Sequence, residues 1–221
     1  GSKYKNSIIG SCKYSDITIF SFHAVKIITT GEGGAALTNN KKLDTKIKNL
    51  RSHGITKVKN QYFHLNKMKW YYEQQSLGWN YRLTDIQAAL GISQLKRIKS
   101  FIKKRNEIAN QYSQLLKHSK ITLQFLPSNT TSSRHLFIIR VSKRCRDKLF
   151  NLLLRNNIGV NLHYIPLFYH PYYKNKKINI NQYPESKLYY KEAISLPMHT
   201  LLKKTDIIKI SNIIVDFINK N

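Results

Sequence analysis

Alternating apolar and polar residues mark the first strands of the chain. The stretch DITIFSF, residues 16–22, is rich in β-branched and aromatic types and predicts a strand that ends at His23. A second short strand is predicted over residues 34–38, after a turn in which several glycines permit positive φ or close backbone approach. Apolar residues at helical spacing then predict a helix that ends at Gly54; they are Leu43, Ile47 and Leu50.

A capping box starts the next predicted helix. Thr84 and Gln87 have the spacing at which two side chains cap each other's backbone N–H, so a helix is expected to begin at Thr84. Its apolar residues are expected to face inward: Ile86, Leu90 and Leu95. The preceding segment, 55–80, holds both tryptophans with little periodicity and is predicted to be a long structured loop of functional importance.

The second half of the chain alternates between strand and helix patterns. Apolar residues at helical spacing span 102–116, and a polar Ser/Thr/Asn loop follows at 127–133. The predicted order is then a strand at 136–141, a helix at 144–156, a strand at 160–165, a Tyr/Pro/Lys-rich loop, and helices at 184–193 and 205–218. This order predicts a small α+β domain, residues 98–221, after an α/β piece, residues 1–97.

The composition adds a strong positive charge. Lys and Arg number 38 against 11 Asp and Glu, a formal net charge of +27, which is typical of proteins that bind nucleic acid or an acidic membrane surface. The basic residues are mostly lysines spread over the whole length, without a basic tail. Isoleucine and asparagine are also abundant, and all three residue types have AT-rich codons, so a coding bias is sufficient to produce this composition without selection for a polyanion partner. We therefore predict no specific nucleic-acid partner, and the alternative is a basic non-enzymatic binder of nucleic acid or anionic glycan.

The cysteines and the apolar runs argue against a disulfide-rich, metal-binding or membrane-spanning protein. Cys12 and Cys145 lie far apart and form no CxxC pattern, so neither a disulfide framework nor a metal site is expected. The longest apolar run, residues 207–218, is interrupted by polar and charged residues and falls short of the ~20 residues that a membrane span needs. These features predict a cytoplasmic protein with no membrane or signal segment.

One lysine stands in a distinctive context. Lys26 lies between the first predicted strand and the glycine-rich turn, in SFHAVKIITTGEGGAALT, residues 21–38. A lysine is nucleophilic only as the free amine, which burial or a neighbouring cation favours. Its usual cofactor partner is pyridoxal phosphate, whose phosphate needs hydroxyl and backbone N–H groups nearby, and Ser21 is placed to supply a hydroxyl. The spacing alone also fits an ordinary surface lysine beside a glycine turn.

Three motifs together resemble a known family. The run SFHAVKIITTGEGGAALTNN, followed by RSHG at residues 51–54 and WNYRLTDIQAALGISQL at residues 79–95, is similar to the DegT/DnrJ/EryC1/StrS family of sugar aminotransferases. The motifs have the family's order and spacing, and the resemblance extends to the C-terminus. It implies an α/β protein with the aspartate-aminotransferase fold, fold type I, and pyridoxal 5′-phosphate as cofactor. This chain would supply an incomplete large α/β domain and a small α+β domain.

The resemblance assigns the cofactor contacts. Lys26 matches the lysine that forms the Schiff base with the cofactor and moves the proton between the substrate Cα and C4′. Ser21 matches the serine that binds the cofactor phosphate, and Asn80 matches an asparagine that reaches this phosphate across a dimer interface. The family therefore implies a homodimer with shared active sites.

Three further residues are matched to the substrate. Arg82 matches an arginine beside the substrate in the neighbouring site, and His163 and Tyr164 match a His–aromatic pair that lines the sugar-nucleotide pocket, also in trans. Both residues also fit a purely structural role. Arg82 would then be an arginine at the start of a helix, and His163 would be a hydrogen-bonded histidine at the end of a strand. Glu32 is left out of the catalytic set because a turn role suits the GEGG segment at least as well.

Further motifs, among them LRSHGI, NYRLTDIQAALG and VNLHYIPLFYHPYY, resemble one branch of the family. That branch aminates UDP-4-keto-6-deoxy-N-acetylhexosamines at C4, in pseudaminic acid or related surface-glycan synthesis, with glutamate as donor and 2-oxoglutarate as product. The family also implies an earlier segment with a phosphate-binding helix N-terminus and an aspartate for the pyridine nitrogen. Neither is present, so we expect a C-terminal fragment with exposed sheet edges, whose activity alone stays open.

Overall fold

The computed structural model of the chain describes residues 1–64, 68–176 and 178–221. The strands are β1 (Lys3–Tyr4), β2 (Ser7–Ile8), β3 (Thr18–Ser21), β4 (Gly34–Leu37), β5 (Ile55–Thr56), β6 (Glu73–Gln74), β7 (Thr122–Leu123), β8 (Thr130–Thr131), β9 (Phe137–Arg140) and β10 (Ala193–Leu196). The α-helices are α1 (Lys41–Arg51), α2 (Asp85–Lys96), α3 (Ile98–Leu116), α4 (Arg146–Arg155), α5 (Pro184–Glu192) and α6 (Lys204–Asn219). Short 3-10 helices cover Lys59–Gln61, Leu167–Tyr169, Pro171–Lys176 and Ile180–Gln182.

The chain divides into two compact units. The first comprises Gly1–Lys99 with Asn129–Thr131, and the second comprises Ser100–Ser128 with Ser132–Asn221. The assignment of residues 1–97 and 98–221 to a large and a small domain stays a prediction.

Short antiparallel strand pairs build the first unit. β3 pairs with β4, with Ser21 opposite Gly34, and the strand and turn predictions for this hairpin are confirmed. Within the described residues β3 and β4 form a two-stranded sheet, so each keeps one edge without a ladder partner there. The described residues of the predicted loop over 55–80 contain β5, β6, one 3-10 turn and a bridge at Asn80, and residues 65–67 lie outside the described residues. The predicted loop at 127–133 contributes β8, which pairs with β1.

The apolar side chains of α2 do not face inward, and that prediction is wrong. Thr84 caps the helix as expected, with its capping box to Gln87. Ile86, however, is 85% exposed, and Leu90 and Leu95 are exposed as well. An apolar helix face is buried only when a second layer packs on it, and the described part of the first unit supplies no such layer over this face.

The hydrophobic core of the described residues lies in the second unit. The helical pattern predicted over 102–116 is confirmed by α3, whose buried residues include Ile108, Tyr112 and Leu116. The sheet order is β10-β9-β7, all antiparallel. Buried side chains from this sheet and from the helices α3, α4 and α6 form one cluster, which includes Ile139, Leu149, Leu153, Ile194, Leu196, Ile207 and Ile214.

One prediction in the second unit is wrong. Residues 160–165 do not form a strand; Asn161 alone makes a bridge, to Ser195. The Leu162 N–H donates to Asn161 Oδ1 at 2.7 Å, so it does not donate to a neighbouring strand. The helix predicted at 184–193 is confirmed by α5, which ends at Glu192, and the buried strand β10 that begins at Ala193 was not predicted. Lys177, in the predicted Tyr/Pro/Lys-rich loop, lies outside the described residues.

No helix within residues 1–64, 68–176 and 178–221 is both long and apolar enough to cross a membrane. The same residues contain no cluster of three or more His, Cys, Asp or Glu side chains placed to hold a metal ion.

Candidate functional site

The loop that carries Lys26 is closed by backbone hydrogen bonds. Phe22 N donates to the Gly33 carbonyl oxygen at 2.8 Å, and Thr30 N donates to the Phe22 carbonyl oxygen at 2.9 Å, so pairing continues past the ends of β3 and β4. Lys26 N donates to the His23 carbonyl oxygen at 2.9 Å and closes a tight turn. Lys26 is therefore held in a defined turn at the end of the hairpin.

The Lys26 side chain is half-buried, and none of the ion pairs in the described part of the chain includes it. Ser21, the last residue of β3, is exposed, and its Oγ accepts a hydrogen bond from His23 N at 3.3 Å. An amine without a carboxylate partner is available to a carbonyl group. A serine whose oxygen already accepts one N–H keeps its own O–H to donate to an anion.

Two threonines shape the turn after Lys26, and sequence reasoning gave them no role. Thr29 Oγ1 donates to the Phe22 carbonyl oxygen at 3.0 Å and accepts from Gly31 N at 2.8 Å. Thr30 is buried, and its Oγ1 donates to the Glu32 carbonyl oxygen at 2.6 Å. Threonine hydroxyls ahead of a glycine turn commonly bond to the local backbone, so the Thr-Thr-Gly order was the available signal.

Two glycines of this turn are required by their surroundings. Gly33 has φ +146°, and a Cβ there would lie 2.5 Å from Thr30 Oγ1 and 2.9 Å from Leu83 Cδ1. At Gly34 a Cβ would lie 2.7 Å from the Phe20 carbonyl oxygen. The glycine pair therefore permits the close approach of the turn to its neighbours.

The first turns of α2 support the same loop. Gln87 Nε2 donates to the Glu32 carbonyl oxygen at 3.1 Å, while Gln87 Oε1 accepts from Thr84 N at 3.1 Å. A Cβ at Gly91 would lie 2.9 Å from Thr30 Cγ2, so the helix passes close to the loop. The capping box was predicted, but this second contact of Gln87 was not.

His23 and Glu32 approach each other across the loop, with 3.7 Å between Nε2 and Oε1. Both side chains are largely exposed, so the interaction stabilises the loop little.

Asn80 lies on a segment that pairs with the end of α1. Asn80 is exposed and forms an antiparallel bridge with Ser52. Three backbone bonds hold the segment: Trp79 N to the Leu50 oxygen (2.6 Å), Tyr81 N to the Arg51 oxygen (2.9 Å) and His53 N to the Trp79 oxygen (2.9 Å). A Cβ at Gly54 would collide with the Ser76 carbonyl oxygen, so the RSHG glycine allows the close packing of this segment.

Arg82 lines a cavity of about 630 Å³ in the first unit. The lining includes Glu32 and Gly33 of the glycine turn, together with Trp79 and Tyr81, whose rings stack at 5.7 Å. The structure thus brings Arg82 and the glycine turn to one cavity. Its lining does not include three other predicted site residues: Lys26, Ser21 and Asn80.

His163 and Tyr164 belong to the second unit. Their rings contact edge to face at 4.7 Å, and Tyr164 is exposed. The Nδ1 atom of His163 is hydrogen-bonded to Ser195 Oγ at 2.7 Å, a partner that the sequence analysis did not identify.

The chain is similar to a family of aminotransferases over nearly its whole length. The model of the DegT/DnrJ/EryC1/StrS aminotransferase family matches residues 1–215. A Campylobacter jejuni protein named UDP-4-amino-4,6-dideoxy-N-acetyl-beta-L-altrosamine transaminase is 40% identical over 210 residues, 93% of this chain and 53% of the relative.

Solved structures show the same relationship. Helicobacter pylori PseC, an aminotransferase involved in the biosynthesis of pseudoaminic acid, has a TM-score of 0.88 and 32% identity, over 100% of this chain and 57% of PseC. The PLP-form of the putative sugar aminotransferase Spr1654 from Streptococcus pneumoniae has a TM-score of 0.88 and 31% identity, over 100% of this chain and 55% of Spr1654. The chain spans about half the length of the curated relatives it matches.

Proposed function

Because the chain belongs to the DegT/DnrJ/EryC1/StrS aminotransferase family, we propose that it is the C-terminal part of a pyridoxal-phosphate-dependent transaminase. The enzyme transfers the amino group of glutamate to C4 of a UDP-4-keto-6-deoxy-N-acetylhexosamine, in pseudaminic acid or related surface-glycan synthesis. Glutamate becomes 2-oxoglutarate and the ketone becomes the amine. One observation carries the proposal: Lys26, half-buried and outside every ion pair of the described residues, stands in the turn after β3.

The residues of the β3–β4 loop fit the cofactor. Lys26 Nζ would bind its aldehyde carbon, and the Ser21 hydroxyl would donate to its phosphate, since Ser21 Oγ already accepts the His23 N–H. Asn80 would donate to the same phosphate from a second copy of the chain. When bound, the cofactor supplies the electron sink that makes the Cα proton of the amino acid acidic.

The further role of Lys26 is proton transfer. Its amine would take the proton from the substrate Cα as a general base and would then donate it to C4′ as a general acid. The tight turn between His23 and Lys26 fixes the backbone from which the Lys26 side chain extends.

The nucleotide sugar would be bound by Arg82, His163 and Tyr164. Arg82, beside the stacked Trp79 and Tyr81 rings, supplies a fixed positive charge for an anionic substrate. His163 and Tyr164 would line the sugar-nucleotide pocket. We propose a homodimer in which Arg82, His163 and Tyr164 act on the neighbouring site, while the net charge of +27 attracts the UDP group over a longer range.

The proposed enzyme is longer than this chain. The relatives extend well beyond the matched part, and the first unit exposes apolar side chains on α2, with Ile86 the most exposed of them. Such a face needs a covering layer, which we assign to the polypeptide that corresponds to the unmatched part of the relatives.

Activity is tested on the chain joined to the segments of the Campylobacter jejuni relative that it does not match. Incubation with pyridoxal phosphate, glutamate and the UDP-4-keto sugar should yield the 4-amino sugar by mass spectrometry. Lys26→Ala should abolish this product, and Lys57→Ala, at an exposed lysine, should not.

A second measurement locates the cofactor in the same completed protein. Borohydride fixes pyridoxal phosphate to the lysine that holds it, and peptide mass mapping then identifies the residue. Labelling concentrated on Lys26 is expected. Labelling spread over the surface lysines, or full activity of Lys26→Ala, would contradict the proposed function.

A further inference from the structure

Ser195 is the polar residue of an otherwise apolar buried strand. All four residues of β10 are buried, and the other three are Ala193, Ile194 and Leu196. Ser195 itself is 4% exposed, and its Oγ lies 2.7 Å from His163 Nδ1. A buried hydroxyl is retained in such a strand when it has a hydrogen-bond partner, and His163 is that partner.

The backbone of Ser195 is fixed from both sides. Ser195 N donates to the Asn161 carbonyl oxygen at 2.8 Å, and Asn161 N donates to the Ser195 carbonyl oxygen at 3.2 Å. On the other edge, β9 places Ile138 opposite Ser195. The serine therefore cannot shift along the sheet, and its hydroxyl has a fixed position relative to the segment that leads from Asn161 to His163.

The hydroxyl lies on the face of the sheet opposite to the core. Ile194 and Leu196 belong to the core cluster, and side chains alternate along a strand, so Ser195 points to the other face. His163 covers that face at Ser195 and contacts the Tyr164 ring edge to face. An imidazole held there also limits the orientations open to Tyr164.

The bond constrains the chemistry of the imidazole as well as its orientation. When the serine O–H donates to Nδ1, the proton of the neutral ring resides on Nε2, and the ring presents Nε2–H as a donor. A donor in that position suits an oxygen atom of a nucleotide sugar.

We propose that Ser195 is a positioning residue that holds His163 as the Nε2–H tautomer in one ring orientation. The inference rests on the proposed function, in which His163 lines the sugar-nucleotide pocket. Ser195 acts through His163, so its effect falls on substrate binding rather than on the proton transfers at Lys26.

The tautomer is measured on this chain by long-range ¹H–¹⁵N NMR correlation of the imidazole rings, at a pH well above the ordinary pKa range of histidine. The wild-type His163 spectrum should show protonated Nε2 and unprotonated Nδ1. Ser195→Ala should give a mixture of tautomers, whereas Ser195→Thr, which keeps the hydroxyl and suits a strand, should restore the wild-type pattern. Far-UV circular dichroism confirms that each variant is folded.

Ser211 is a matched control. It is as buried as Ser195, but its Oγ has no hydrogen-bond partner among the residues that the structure describes, so Ser211→Ala should leave the His163 spectrum unchanged. An unchanged His163 spectrum in Ser195→Ala, or an equal change in Ser211→Ala, would overturn the proposal.

The kinetic consequence is measured on the chain joined to the unmatched segments of the Campylobacter jejuni relative. Ser195→Ala should raise KM for the UDP-sugar about fivefold, the worth of one hydrogen bond, with kcat nearly unchanged. A fall in kcat with KM unchanged would overturn the positioning role. If Ser195→Ala shifts the tautomer but leaves both KM and kcat unchanged, the positioning role of Ser195 is supported. The proposed position of His163 in the sugar-nucleotide pocket is then refuted.

Discussion

Gln87 joins the start of α2 to the turn that follows Lys26. Its Nε2 donates to the Glu32 carbonyl oxygen at 3.1 Å, and its Oε1 accepts from Thr84 N at 3.1 Å. The Glu32 carbonyl oxygen also accepts from Thr30 Oγ1 at 2.6 Å. One amide side chain therefore caps a helix and supports the loop that we assign to the cofactor.

Replacement of Gln87 by glutamate separates these two roles. Gln87→Glu keeps an acceptor for Thr84 N but loses the donor to Glu32, so the loop should loosen while the helix start persists. We expect amide exchange at Phe22 and Thr30 to accelerate about fivefold, the worth of one hydrogen bond. Hydrogen–deuterium exchange followed by NMR measures the exchange rates of these two amides.

Gln87→Ala serves as the comparison because it removes both bonds. In that variant the first turn of α2 should also exchange faster. Wild-type protection of Phe22 and Thr30 in Gln87→Glu would show that the bond to Glu32 contributes nothing to the loop.

Two glycines of the turn should differ in their tolerance of alanine. Gly33→Ala places a Cβ 2.5 Å from Thr30 Oγ1 at φ +146° and should lower the free energy of unfolding by about 2 kcal/mol or more. Gly31 has φ +78° with open space around it, so Gly31→Ala should cost only about 1 kcal/mol of backbone strain.

Urea unfolding followed by tryptophan fluorescence measures this difference. Both tryptophans, Trp70 and Trp79, lie in the first unit, so their emission reports on the unit that contains the turn. Equal losses in the two variants would contradict the steric argument.

The core of the second unit should respond strongly to truncation. Leu153 is fully buried in α4, and Leu153→Ala should lower the free energy of unfolding by about 2–5 kcal/mol because it leaves a cavity. The adjacent Leu154 is 46% exposed, so Leu154→Ala should cost less than about 1 kcal/mol. Urea unfolding followed by far-UV circular dichroism gives both values, and a small effect of Leu153→Ala would refute the assigned core.

Glu73 should make its loop sensitive to acid. Burial raises the pKa of its carboxyl, but hydrogen bonds from Phe63 N (2.6 Å), His64 N (2.9 Å), the Tyr71 hydroxyl and Gln75 outweigh this effect, so the pKa is lowered from 4.5. A lowered pKa in the folded state gives stability that is present above pH 4.5 and lost as the pH falls through the folded value.

Amide shifts of Phe63 and His64 should therefore move together as the pH is lowered below 4.5. In Glu73→Gln this common titration should disappear. In Glu107→Gln, at an exposed residue of α3, it should remain. If the two amides titrate alike in Glu73→Gln and in wild type, another carboxyl controls the loop.

Local patterns predicted much of the secondary structure correctly. The strands β3 and β4, the Thr84 capping box and the helical span of α3 depend mainly on local sequence, so alternation, capping spacing and helical periodicity suffice to find them. The motifs around Lys26 likewise identified the family before any fold was known. By contrast, the inward face expected for α2 depends on a covering layer, which periodicity cannot supply.

The sequence by itself determined the family, the local elements and which lysine follows the first strand of the hairpin. The tertiary structure alone decided that Gln87 reaches Glu32, that Ser195 is hydrogen-bonded to His163, and that residues 193–196 form a buried strand. The physical reason is separation along the chain: Glu32 and Gln87 are 55 residues apart, and His163 and Ser195 are 32 apart. Hydrogen bonds over such distances form only after the backbone has been brought together by packing, so no local pattern records them.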